Sequence, residues 1–499
     1  MKIKLAAGLL CGALGLASSG GRAQSLPELL DGVLRTHPSL RAQQALGESA
    51  KQALASAEWQ FYPTPSIGFE QVDPGQSDPS YPAYGDKAVT TLRLQQPLWT
   101  GGRLTAGLNK AQAGVAANQA TADGVRQDLA VRVVQVYADW LGAFLKIQAF
   151  EKSLKAHQTL QEQINRRIAG GASPRSDLTL LLGRAQQTEA DMNAAQAQAR
   201  SALGRLSQLL GSTLQAPRLA QSASAPLALA SNPQDLLLQA QSQNPGVLKL
   251  LAQAQVAKSE IAERQADLKP EVYLRAESQY GSYNFPGSPN QNRLFIGISS
   301  HFGAGLSSMT QVSGAQARYD AALAEVDSTR LSLGEQIQAD YAQAEAGQAR
   351  LAALVASLES SDNIARAWSR QFIAGRKTWL DVMNAVREQA QLEAQIADAK
   401  ASQLLLTWRM AIVGRGVESA LALGEADAAV AQRAPEPTLP EQHAQSASGW
   451  DDSTQIPLYA ASEADALELR MASEIDPANL GVGIGTADLP ESQTNVEGI

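Results

Sequence analysis

The chain carries one pattern twice. Leu129, Val133, Tyr137, Gly171, Asp177 and Leu178 return as Leu333, Ile337, Tyr341, Gly375, Asp381 and Val382, each 204 positions later. Pro63 returns as Pro270, now 207 positions later, so a three-residue slip separates the two registers. Each copy reads as a long helical pattern, a turn and a second helical pattern. A period this long is not that of a short-repeat solenoid and marks a duplicated large unit.

Lys2 and Lys4 precede an apolar run from Leu5 to Ala17, and small residues follow up to Ala23. This predicts a secretory signal over 1–23, because the run is shorter than the roughly 20 residues a membrane span needs. The only cysteine, Cys11, lies inside it. The expected mature chain then has no disulfide and no thiolate metal site, and packing alone holds it together. No second apolar run reaches spanning length. That argues against a helical membrane protein but leaves a β-barrel open, because barrel strands are short and alternating. Aromatic residues make up 5% of the chain, which suits long, closely packed helices with thin interfaces.

Helices are expected over Leu26–Gln60, interrupted at His37-Pro38, and over Gln234–Leu268, interrupted at Asn244-Pro245. Proline fits the first turn of a restarted helix. Leu104–Ile168 contains no proline, and Leu129, Val133, Val136, Trp140, Phe144 and Ile147 recur at close to the 3.5-residue period of a coiled-coil seam. Such a helix is a rod of roughly 100 Å. Gly170-Gly171 ends it. Ser173 is the expected cap of the next helix, with Pro174 at its first position. Ser308–Ala374 is the second long helix. Thr378 opens the last one, which ends at Gly414 and Gly416.

Four strands are predicted: Ser66–Val72, Ala88–Gln96, Val272–Tyr280 and Leu294–Phe302. Pro97-Leu98-Trp99 breaks the second. Asp73–Gly85 and Gly281–Asn292 are loops by composition. Thr90, Leu92 and Leu94 alternate with Thr91, Arg93 and Gln95, as in a barrel wall with lipid on one side and a lumen on the other. A plain hairpin on a soluble domain gives the same pattern. Four strands cannot close a barrel, and an open sheet in lipid leaves its edges unsatisfied. Strands that span a membrane therefore require an oligomer, and a trimer supplies an allowed twelve.

Three segments in order resemble the TolC-type outer-membrane efflux and secretion proteins: Gln96-Pro97-Leu98-Trp99-Thr100-Gly101-Gly102-Arg103, Ala169 to Leu178, and Ala374 to Val382. The similarity runs from Leu26 to Gly416. It implies a mainly α fold with a small β part: a trimeric 12-stranded outer-membrane β-barrel, four strands per chain, continued by a long periplasmic α-helical barrel. The wording of the two turns is most similar to the adhesin-exporting type I secretion branch, the agglutination proteins. The domains expected are a signal at 1–23, repeats at 24–220 and 234–422, a linker at 221–233 and an acidic disordered tail at 423–499. From Glu425 onward there are 14 acidic residues against Arg433 and Arg470.

The resemblance also implies roles. Gly170, Gly171, Ala374 and Gly375 would form the helix tips that dock a periplasmic adaptor. Asp381, Asp177 and Asn384 would line a closable entrance, with Lys377 and Phe372 near gate-holding positions. Asn384 stands where the best-known members carry a second aspartate, so a doubled acidic ring is not expected. Asp381 three residues after Thr378 also fits a capping box, and both roles are compatible. Trp99 is the candidate membrane-boundary aromatic. Tyr137 and Tyr341 read as core.

His37, His157, His301 and His443 show no metal-ligand spacing, and no phosphate-binding loop or basic nucleic-acid patch appears. The expectation is a non-enzymatic channel without cofactor or metal, recruited by an adaptor and an inner-membrane ABC transporter or proton-driven pump, with an exported protein as passenger. A multidrug efflux channel is the near alternative, and a periplasmic coiled-coil scaffold is the alternative of another class.

Overall fold

The computed structural model describes residues 25–71, 86, 88–221, 226–229, 232–282, 287, 289–300 and 307–433. The expected signal, the Asp73–Gly85 loop, Phe302, Gly303, Gly305 and the chain after Arg433 lie outside these residues.

The first copy runs α1 Leu26–Thr36, α2 Pro38–Trp59, β1 Thr64–Gln71, β2 Ala88–Trp99, α3 Arg103–Ala169 and α4 Arg175–Leu210. A short α5, Ala216–Gln221, leads into the second copy. That copy runs α6 Pro233–Gln243, α7 Pro245–Ala266, β3 Glu271–Tyr280, β4 Gln291–Ser299, α8 Ser307–Ile373 and α9 Trp379–Arg415. Helix α10, Val417–Arg433, comes after the left-handed Gly416, whose φ is 88°. The helical part therefore extends beyond residue 422, into the segment read as tail. Gly414 does not end α9. It is buried within it.

The slip is now located. Helices α2 and α7 begin 207 positions apart, and α3 and α8 begin 204 apart with 67 residues each. The three extra residues fall in the first copy between β1 and α3. His37 and Asn244 cap the restarted helices alike, accepting the N–H of Ser39 at 3.3 Å and of Gly246 at 2.9 Å.

One core joins α1, α3, α4, α9 and α10 around Tyr137, Trp140 and Trp408, each no more than 1% exposed. The expected linker contributes to it, since Leu227 is buried and its N–H donates to Thr407 Oγ1 at 3.2 Å. A second core joins α6, α7, α8 and α9, with Tyr341 packed on its edge. The two copies differ there in one respect. Buried Asp340 pairs with Arg409, whereas buried Val136 holds the equivalent place in the first copy. The equivalent arginine, Arg205, pairs instead with Asp139 at 3.6 Å.

The four strands form one antiparallel sheet in the order β1-β2-β3-β4. Registers of Ile67 with Leu92, Leu94 with Ala276, and Leu274 with Ile296 put most apolar residues of the four strands on one face. Ile67, Phe69, Leu294, Ile296 and Ile298 are each at least 66% exposed on it. The other face carries Thr91, Arg93, Gln95, Arg275, Glu277 and Arg293. The strand β2 does not stop at Pro97. The register skips Leu98, so that Pro97 faces Tyr273 and Trp99 faces Val272, and this irregularity accommodates a residue with no N–H to give. Similarly, β4 starts at Gln291 rather than Leu294. Its first residues are polar and read as loop, but they pair with the end of β3. β1 and β4 are the sheet's two edges.

Among the described residues no helix is long and apolar enough to cross a membrane.

Candidate functional site: the paired helix turns and the sheet

The turns at Gly171 and Gly375 are the same turn built twice. Gly171 has φ 72° and Gly375 φ 75°. Ala172 N–H reaches Arg167 O at 2.8 Å and Arg376 N–H reaches Gln371 O at 2.8 Å. Gly171 N–H reaches Ile168 O at 3.0 Å and Gly375 N–H reaches Phe372 O at 2.9 Å. Each pair is a Schellman closure, which needs a left-handed residue after the helix and so favours glycine. Gly170, Gly171, Ala374 and Gly375 are all exposed.

The two turns share one small core. Leu160, Ile164, Leu181, Phe372, Val382 and Met383 are buried together, with Trp368 and Trp379 against them. Arg167 of the first copy donates from Nη1 to Phe372 O at 2.9 Å, and its guanidinium lies 4.7 Å from the Phe372 ring centroid. Phe372, only 3% exposed, thus ties the copies together. Lys377 Nζ sits 4.5 Å from the Trp368 ring centroid and 3.9 Å from Asp381. Arg167 carries no periodic or motif signal and becomes visible only when chain segments 205 positions apart meet.

The caps differ between copies. Thr378 Oγ1 accepts the Asp381 N–H at 3.2 Å, while Asp381 accepts from the Thr378 hydroxyl at 2.8 Å and from its N–H at 3.1 Å. This is a capping box, with an acid suited to the helix N-terminus. In the first copy Ser173 is not the cap. Pro174 occupies that position with φ −75° and ψ 156°, close to the −82° and 155° of Thr378, and makes no side-chain bond. The repeated Schellman turn sets the helix start, and serine falls one residue too early. Asp177 lies in the first turn of α4, partly exposed and without an ion pair among the described residues. Asn384 is exposed and lines a cavity of about 250 Å³ with His157, Arg184 and Arg387.

The Thr378 hydroxyl, then its N–H, and to a smaller degree Lys377, hold the Asp381 carboxyl below its usual range. A carboxyl lowered by folding stabilises above its unfolded value of about 3.9 and loses that contribution as pH falls through the folded one. The box therefore stays intact at mildly acidic pH. Asp381→Asn is expected to lower the thermal dissociation temperature equally at pH 7 and pH 5, with the difference vanishing only in strong acid. A difference that already disappears between pH 7 and pH 5 contradicts this.

At the other end of the long helices Trp99 is half exposed, and the bulge places it beside Val272 and Ile298 at the margin of the apolar face.

The chain matches the outer membrane efflux protein family over residues 29–212 and 236–406, which takes in both copies. It is 28% identical over 345 residues to the alkaline protease secretion protein AprF of Pseudomonas aeruginosa, covering 64% of this chain and 68% of that one. Its fold is similar to that of CusC, with TM-score 0.68, 16% identity and coverage of 79% and 92%. It is also similar to the outer membrane protein VceC of Vibrio cholerae, with TM-score 0.67, 19% identity and coverage of 78% and 96%. The duplicated turns, the one-faced sheet and the match across both copies together make this chain a member of the outer membrane efflux protein family, located in the outer membrane with its long helices reaching into the periplasm.

Proposed function

We propose that the protein is the outer-membrane exit duct of a type I secretion system. Three chains would join their sheets edge to edge, β1 to β4, into a closed twelve-stranded barrel. The observation that carries this is a sheet with an apolar exposed face, a polar face and two open edges. Lipid has no hydrogen bonds to offer those edges, so closure is the stable solution. The six paired turns of a trimer would dock a periplasmic adaptor. An inner-membrane ABC transporter, or a proton-driven pump, would supply the energy.

The similarity to a relative named for alkaline protease secretion favours an exported protein over a drug as passenger. The wording of the turns favours a large adhesin. Two measurements test the duct. Heat-modifiable trimers are expected in the outer-membrane fraction, and ion conductance in planar bilayers. Clean release as a monomer on osmotic shock would overturn it. Deletion is expected to remove one large protein from the cell exterior and to leave drug tolerance unchanged. The opposite outcome favours an efflux channel.

Asp381, repeated by threefold symmetry, would place three carboxylates at the entrance. Asp381→Ala is expected to lower the cation preference of the pore, read as a shifted reversal potential in a salt gradient. An unmoved potential counts against Asp381 as an entrance residue.

A further inference from the structure

The polar face of the sheet carries three arginines and three glutamates, but they are unevenly placed along it. One row across it reads Ser66, Arg93, Glu277, Arg293, and the next reads Gln95, Arg275, Phe295. These two rows hold three arginines against one glutamate. Glu277 is shared, with Oε2 3.2 Å from Arg93 and 3.7 Å from Arg275. Among the described residues Arg293 bonds only Gln291. The Arg275 guanidinium lies 4.7 Å from the Phe295 ring centroid and 5.9 Å from that of Tyr273. The other acids on this face lie toward the ends of the sheet. Glu271 is engaged by Arg103 at 2.7 Å, and Glu70 pairs in register with Val89 near the end of β1.

From this we infer that the barrel carries a basic girdle that takes acidic, extended stretches of the passenger polypeptide. The inference rests on the duct function proposed above. It goes beyond it by assigning the passenger's charge and the residues that read it. An unfolded chain presents carboxylates one after another, and a ring of guanidiniums offers each of them a charge-assisted contact. The contacts are solvent-exposed and individually weak, so a passenger is attracted without being trapped. The apolar face cannot do this, and the entrance carboxylates favour the opposite sign.

The test uses the full-length trimer in planar bilayers at about 0.1 M salt, where charges act over about 10 Å. Polyglutamate is added to each chamber in turn, with polylysine as the comparison. Polyglutamate is expected to block the current from the barrel side. The triple variant Arg93→Gln, Arg275→Gln, Arg293→Gln is expected to weaken that block about tenfold. Glu277→Gln, of opposite sign, is expected to strengthen it. Both effects should shrink at 1 M salt. A block unmoved by either variant, in channels that conduct and run as heat-modifiable trimers, overturns the girdle and leaves the duct standing. Absence of conductance from the unaltered protein overturns the duct, and the girdle with it.

Discussion

Arginine in place of Ile296 is expected to remove most of the heat-modifiable trimer from the outer membrane. Ile296 lies near the middle of β4, is 75% exposed, and pairs in register with Leu274 on the apolar face. Arginine facing lipid near the bilayer midplane costs about 2–4 kcal/mol. Threefold symmetry places that cost on every chain of the closed barrel. Thr91→Arg is the control. Thr91 lies on the polar face opposite Gln279, where a charge stays hydrated. Trimer recovery is expected to be near normal for Thr91→Arg. Equal recovery of the two variants, or a larger loss for Thr91→Arg, would show that the faces are assigned the wrong way round.

Trp140→Ala is expected to have the second large effect, about midway along α3 and away from the sheet. Trp140 is 1% exposed. Its ring stacks on Phe144 at 5.4 Å between centroids with 12° between planes, and tilts against Tyr137 at 5.5 Å. Truncating such a side chain costs about 3–5 kcal/mol, because the neighbours only partly close the cavity. The thermal dissociation temperature of the trimer reads this directly. Trp99→Ala, half exposed on the sheet, is expected to move that temperature far less.

Much of the architecture was legible because it was written twice. The turn glycines declare themselves, since only a left-handed residue closes both Schellman turns, and the long helices lack any breaker. Thr378 and Asp381 form the box their spacing predicts. Alternation was also readable along the later predicted strands, but in the first only at Ile67 and Phe69. What no single strand could reveal was that the four apolar faces coincide, because that depends on inter-strand register. Ser173 misled because local cap preference is weaker than the geometry of the repeated turn. Pro97 misled because a bulge admits proline where a regular ladder does not. Arg167 was invisible, since its partner Phe372 lies in the other copy. Helix α10 was missed because its alanines and acids share the composition of the acidic segment beyond Arg433.

The exchange of Asp139 for Asp340 has a consequence for descent. Arg205 and Arg409 hold equivalent places, but each answers a carboxylate one helical turn away from where the other copy keeps its own. Gln343 now stands where the first copy has Asp139, and Val136 where the second has Asp340. The halves have become complementary strangers. Grafting α3 in the place of α8, beside α9, would leave Arg409 facing Val136, with its nearest carboxylate a turn out of position. Each half has accepted a lock cut for its own key, so neither can stand in for the other without losing its ion pair.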